Sequence, residues 1–204
     1  MPKTETAALR KTPQHIEELA KNIKRKPSFL EDNMEILKAV KERRSIRNFQ
    51  KKEIPEDAVD KLIEAIIWAP SAGNLQSRKF YFVKSAELKQ QLVSAAFGQN
   101  FIAEAPLTVV ACTDSKISKR YGDRGTHLYS IQDASASIMN LMLVAHELGL
   151  GTVWVGAFDE WRVFEILQMP DNLRPVAIIP VGYPAKIPSA PRRVSKNEAV
   201  KIRY

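Results

Sequence analysis

Residues 68–83 read W-A-P-S-A-G-N-L-Q-S-R-K-F-Y-F-V, and they form a passage from helix to strand. On the upstream side Val59, Leu62, Ile63, Ile66 and Ile67 recur at i, i+3, i+4, i+7 and i+8, the pattern of a helix with one buried face. Pro55 suits the first turn of that helix, because its missing N–H has no partner there in any case. Pro70 pushes Ala69 out of the helical region and so ends the helix. Phe80, Tyr81, Phe82 and Val83 form a short aromatic and β-branched run, read as a strand buried on both faces. Between the two, Ser71, Ala72, Gly73, Asn74 and Gln76 make a corner of small and polar residues where backbone can come close to a ligand. Taken alone, the corner is equally an ordinary turn, since Gly, Ser and Asn dominate turns for conformational reasons.

The composition narrows the classes. A chain of 204 residues with 45% hydrophobic content can bury a substantial core as one domain with an additional arm. The net charge of +8 and pI near 9.6 allow nucleic acid, anionic ligands or a basic surface. Its dense clusters, Lys24-Arg25-Lys26, residues 41–47 and Arg192-Arg193, are not interleaved with the aromatics that a single-strand platform needs. The single cysteine, Cys112, lies after the apolar run 107–111, the setting of a buried structural thiol and not a nucleophile. No apolar run approaches the ~18 residues of a membrane span, and the amino terminus lacks a signal-peptide core, so the expectation is a cytoplasmic protein.

Outward from the corner, residues 1–32 read as a helical arm, with Thr12-Pro13 opening a short helix that Pro27 ends. Asn33 is placed to cap a second helix with Ile36, Leu37 and Val40 facing inward. Residues 44–49 have no helical period. An extended chain there throws Arg43, Ser45 and Arg47 to one side and Ile46 to the core. Two guanidinium groups and a hydroxyl around one point suit a phosphate, although a solvated basic strand accounts for the same residues. Residues 87–97 read as a helix with Leu88, Leu92 and Val93 inward, 107–113 as a strand entered from Pro106, and 114–125 as a polar loop that could fold over a pocket. Residues 128–148 carry the longest helical period, apolar on several faces, with Gly149 as its C-cap. Residues 152–155 and 175–181 read as strands, Asp159 as the cap of a helix to Leu167, and 184–204 as an extended tail lying on other structure. His15, His127 and His146 are isolated, and no metal-ligand spacing occurs. Gly149 and Gly151 close a helix before a strand, the reverse of a dinucleotide fingerprint.

Four pieces in register, R-R-S-x-R-x-F at 43–49, A-P-S-A-x-N-x-Q at 69–76, G-L-G-T-x-W-x-G-x-F at 149–158 and V-G-Y-P at 181–184, resemble the FMN-dependent nitroreductase family. Strands separated by helices would by themselves suggest α/β. The resemblance implies instead an α+β fold over residues 33–204, a mixed central sheet flanked by helices, and an intertwined homodimer with FMN at the subunit interface. It further implies that Arg43 and Ser45 hold the phosphate, with Arg44 beside them, and that Arg47 reaches the ribityl chain and the N1–C2=O edge of the flavin. Pro70, Ser71, Ala72, Asn74 and Gln76 are then the partner's contacts to the ring and ribityl chain. Gly156 and Ala157 match the loop whose backbone N–H meets flavin N5, and Arg192 and Arg193 match a second phosphate contact on the tail. Gln99, Tyr121 and Arg124 are the substrate-side candidates.

No nucleophile, carboxylate pair or metal set stands out, so a cofactor carries the chemistry of such an enzyme. The implied activity is hydride transfer from NADH or NADPH through the flavin to nitroaromatic, quinone or related acceptors. Two departures from the family pattern, Ser77-Arg78 after Gln76 and Gly156-Ala157 at the N5 loop, leave the acceptor open. Alternatives are a specialised relative, a reductive dehalogenase or flavin-consuming enzyme gripping its substrate with Lys119, Arg120, Tyr121 and Arg124, or a basic nucleic-acid or scaffold protein using the arm.

Overall fold

A computed structural model describes residues 35–204. The arm at 1–32, its helix, the Asn33 cap and the domain boundary at 32/33 lie outside them. The described chain opens with α1 (Ile36–Glu42) and α2 (Glu56–Ile67), then the corner, which contains a tight turn at Ala72–Asn74. There follow β1 (Arg78–Val83), α3 (Ala86–Ala95), α4 (Phe101–Glu104) and β2 (Leu107–Asp114). Next come α5 (Ser118–Arg124), α6 (Ser130–Glu147), β3 (Gly151–Thr152), α7 (Glu160–Ile166), β4 (Leu173–Gly182) and α8 (Lys196–Ala199).

The four strands form one antiparallel sheet in the order β1-β2-β4-β3, flanked by helices in an α+β arrangement. Beyond β3, Ser45 bridges Thr152 in parallel, with the Ile46 N–H donating to the Thr152 carbonyl at 2.9 Å. The mixed character of the sheet therefore rests on this bridge. Alternation along β2 divides the core. Val109 and Ala111 join Leu62, Ile66, Ile138, Leu141 and Ile179 on the α2/α6 face, while Val110 and Cys112 join Leu92, Ile102, Val163 and Ile178 on the α3/α4/α7 face. Each fully buried Leu or Ile of this kind contributes ~1.5–3 kcal/mol.

Several sequence expectations need correction. β1 is an edge strand with only Val83 fully buried and Lys79 exposed. Phe80 and Phe82 pack on one core and Tyr81 on the other, so both faces are covered, but the open edge leaves the side chains half-buried. Of the expected loop 114–125, Asp114 ends β2 and residues 115–125 are helical. Asp114 caps a tight turn by accepting from Lys116 N–H at 2.9 Å, α5 breaks at Gly122 (φ 54°, ψ −146°), and a wide π-type turn, Gly125–Tyr129, leads into α6. The expected strand 152–155 contracts to Gly151–Thr152 and a separate bridge from Val155 to Ile178.

Helix α1 also departs from its pattern. Ile36, Leu37 and Val40 are 79%, 60% and 52% exposed, and Ala39 is the residue it buries. The tail from Ala185 onward is exposed throughout, but it starts against residue 48, with the Ala185 N–H donating to Asn48 O at 2.9 Å, and passes beside residues 43–47. It does contain one helical turn, α8, with a Ser195/Glu198 capping box.

Candidate functional site

The segment after α1 runs beside β3 as the two-residue period requires. Ile46 and Phe49 turn into a small core with Ala105, and the approach is close enough that a Cβ on Gly151 would lie 2.5 Å from Ile46 Cγ1. Arg43, Arg44, Ser45 and Arg47 are left lining a cleft of about 290 Å³, whose other wall comes from the tail: Pro188, Ser189, Pro191 and Arg193. Arg44 is internally engaged, its Nη1 donating to the carbonyls of Lys41, Glu42 and Arg43 at 2.8, 2.8 and 3.0 Å, which closes the carboxyl end of α1. Arg43 is not. Its Nη1 is buried without an acceptor. Burial, then the charges of Arg193 and Arg44, draw its pKa below the ordinary value. A buried guanidinium N–H facing like charges is costly unless an anion completes it, and this cluster fits a phosphate on that ground. Arg193 lines the cleft and Arg192 does not.

The corner presents the opposite situation. Gly73, Asn74 and Gln76 all have positive φ, at 55°, 56° and 50°, and the strained turn is held by hydrogen bonds. Ala72 N–H donates to Asp133 Oδ1 at 2.8 Å, Ser77 Oγ–H to Asp133 Oδ2 at 2.6 Å, and Gln76 N–H to Ser71 Oγ at 3.1 Å. From the same helix, Ser137 Oγ–H donates to Ile66 O at 3.1 Å and Asn140 Nδ2 to Ala65 O at 3.2 Å. Arg78 donates to the carbonyls of Ile66, Ile67 and Ala69, at and just past the end of α2, where intrahelical donors run out. The departure at Ser77-Arg78 is thus built into the corner itself. Asp133, Ser137 and Asn140 were missed in the sequence. Their i, i+4, i+7 spacing on a mostly apolar helix was the available signal.

The remaining candidates fall in two places. Gln99 Nε2 donates to Ala96 O at 3.0 Å and Ala157 O at 3.1 Å, so it hangs the 156–157 loop from the end of α3. Gly156 is exposed, with open space where a Cβ would be. Tyr121, by contrast, meets the corner: its hydroxyl would lie 2.5 Å from a Cβ on Gly73. Its ring packs edge-on to Tyr129, whose hydroxyl accepts from Arg124 Nε at 3.0 Å. Cys112 has its thiol pushed up to about 12 by burial and is not a nucleophile.

One chain does not bring all of these together. The corner leads into β1 at one edge of the sheet, and the arginine cluster lies beyond β3 at the other, four strand spacings or roughly 19 Å away across the sheet and towards the opposite end of the strands.

Similarity to known proteins agrees with this architecture. The family model described as the nitroreductase family matches residues 40–183. A protein of Methanothermobacter thermautotrophicus, provisionally named NADH dehydrogenase/NAD(P)H nitroreductase, is 35% identical over 76% of this chain and 80% of its own. The FMN reductase [NAD(P)H] of Bacillus subtilis is 28% identical over 74% of this chain and 66% of its own. Among solved structures, B. megaterium NfrA2 superposes with a TM-score of 0.77 at 25% identity, covering 82% of this chain and 74% of that one. The fold and the four motifs define an oxidoreductase of the α+β class. The chain belongs to the nitroreductase family.

Proposed function

We propose that the protein is an NAD(P)H-dependent FMN oxidoreductase that reduces nitroaromatic, quinone or related electrophilic acceptors, and that it works as a homodimer. The observation that carries this is the cleft at 43–47, where Arg43, Ser45, Arg47 and Arg193 surround one point and a buried Arg43 N–H has no acceptor. Arg43 and Ser45, with Arg193 from the tail, hold the phosphate of FMN, and Arg47 reaches the ribityl chain and the N1–C2=O edge of the flavin. Pro70, Ser71, Ala72, Asn74 and Gln76 of the partner protomer supply the contacts to ring and ribityl chain, which explains why the two half-sites stand at opposite sheet edges of one chain.

When bound, FMN supplies two-electron exchange between NAD(P)H and the acceptor. The chain's own residues bind and orient. The cation cluster neutralises the phosphate, and the loop at Gly156 and Ala157, held by Gln99, presents backbone N–H groups. Arg47 places a positive charge where reduction leaves negative charge. Support for the dimer comes from apolar side chains left in solvent: Ile36, Leu37 and Val40 on α1, Ile67 and Trp68 at the end of α2, and Ile187, Val194, Val200 and Ile202 on the tail. Surfaces of that kind mark interfaces, and obligate ones are large and apolar.

The test is optical and hydrodynamic. Purified protein, reconstituted with FMN, is expected to be yellow, to oxidise NADH or NADPH with a quinone or nitroaromatic acceptor, and to sediment as a dimer at micromolar concentration. Failure to take up FMN overturns the flavoprotein assignment, and an FMN-loaded monomer overturns the two-chain site.

A further inference from the structure

We propose that Asp133 is a positioning residue for the flavin: one buried carboxylate fixes the shape of the corner that contacts ring and ribityl chain. The inference rests on the corner being part of an FMN site. Asp133 is 4% exposed on α6, and among the described residues its contacts run to the corner and not to its own helix. Oδ1 accepts from the Ala72 N–H at 2.8 Å and Oδ2 from the Ser77 hydroxyl at 2.6 Å. The two bonds bracket Gly73, Asn74 and Gln76, the residues with left-handed backbone. A stretch with non-glycine residues in that region persists only where its surroundings over-determine it, and a clamp on both ends from a single rigid group does this.

The clamp is charge-assisted at both oxygens, and such bonds are shorter and stronger than neutral ones. It stands on the middle of the fold. Asp133 belongs to the 18-residue helix α6, whose next turns are separately bonded to α2 through Ser137 and Asn140. Released from Asp133, the Ala72 N–H and the Ser77 hydroxyl have no other partner in the corner, and the turn relaxes away from the geometry that Ala72 and Asn74 need to meet a flat ring.

The role is distinguishable from plain structural support by which part of the flavin it serves. The corner faces ring and ribityl chain and the arginine cluster faces phosphate, so riboflavin, which lacks the phosphate, separates them. Full-length wild type, D133N, S77A, R43A and S137A are titrated with FMN and with riboflavin, and amide exchange is followed for the peptide containing Ala72. D133N is expected to weaken FMN and riboflavin by the same factor, ten- to hundredfold, with faster exchange at Ala72. S77A is expected to do the same by about three- to tenfold. R43A should weaken FMN alone. S137A removes a buried bond of the same helix to Ile66 O, a carbonyl that keeps Arg78 Nη2 as a donor, and should leave both affinities within about twofold.

D133N or S77A with wild-type affinity for both flavins overturns the positioning role, as does loss of FMN with riboflavin affinity retained. Equal losses in S137A also overturn it, because any loosening of α6 would then suffice. Should D133N fail to fold, S77A with the same FMN-to-riboflavin ratio decides. Wild type that binds neither flavin overturns the flavoprotein assignment and this inference with it.

Discussion

The two halves of the candidate site solve opposite problems. At 43–47 and 188–193, cations gather around a cleft with a buried donor unfilled and like charges in mutual repulsion. At 70–78, a backbone in rare conformations has its polar groups tied to Asp133, Ser71 and α6. One region is left for a ligand to complete, and in the other the backbone of the turn is completed by the protein, although Arg78 Nη1 beside it is also buried without an acceptor. The contrast implies that substitutions in the cluster change affinity with little change in stability, and that substitutions in the corner change stability first.

The largest effect expected from this contrast is at Arg43. Arg43→Ala removes a charge-assisted bond to phosphate of roughly 1.5–3 kcal/mol, a loss of about ten- to hundredfold in FMN affinity. In the free protein the same change removes a half-buried cation repelled by Arg193 and Arg44, so the melting temperature without FMN should hold or rise. Calorimetric titration and a thermal melt on one preparation measure both. A drop in melting temperature with unchanged affinity would reverse the assignment of the two regions.

Gly73→Ala tests the other half. An alanine at φ 55° costs ~1–2 kcal/mol for the left-handed backbone, and its Cβ would press on the Tyr121 hydroxyl at 2.5 Å, which must swing aside. The unliganded protein should lose stability by about that amount in denaturant unfolding, with the slope unchanged. A neutral result would mean that the corner adapts freely and is not preformed.

The same contrast explains what could be read in the sequence. The half that a ligand completes is written in residue types: Arg43, Ser45, Arg47 and the alternation that buries Ile46 were all visible, because charge and period survive translation into one dimension. The half that the protein completes is written in tertiary contacts. Pro70 marked the end of α2, but nothing local to 70–78 names Asp133, a carboxylate 61 residues beyond Ala72. Burial failed for a related reason. Ile36, Leu37 and Val40 have a core-facing period, yet they are exposed in the single chain, since periodicity shows that a face is apolar and not what covers it. The helical character of 115–125 was hidden by its polar residues and glycines, with Gly122 at the kink itself.

A smaller effect sharpens the division within the cluster. Arg43 has a buried unfilled donor, whereas Arg47 is exposed and lines the same cleft. If Arg47 serves the ring and not the phosphate, Arg47→Ala lowers the two-electron midpoint of the bound flavin by about 30 mV for each 1.4 kcal/mol of lost preference for the reduced form. Arg43→Ala, measured at FMN saturation, leaves the midpoint in place. Equal midpoints in the two variants would make Arg47 a second phosphate ligand.

The smallest effect is expected from deleting residues 1–30. Every residue assigned to either half lies at Arg43 or beyond, and the family match begins at residue 40. The link to test is α1, because Arg43 hangs from it: the Arg43 N–H donates to Ala39 O at 3.0 Å, and Ala39 is the residue that α1 buries. Helices of this length are marginal alone, so the position of Arg43 depends on how firmly Ala39 seats. If that contact and the Arg44 cap suffice, the truncated protein binds FMN within about twofold of the full chain, a difference of ~0.4 kcal/mol. A tenfold loss of FMN with riboflavin binding and fold retained would show that the first 30 residues hold α1 in place, and would extend the ligand-completed half of the site to the amino terminus.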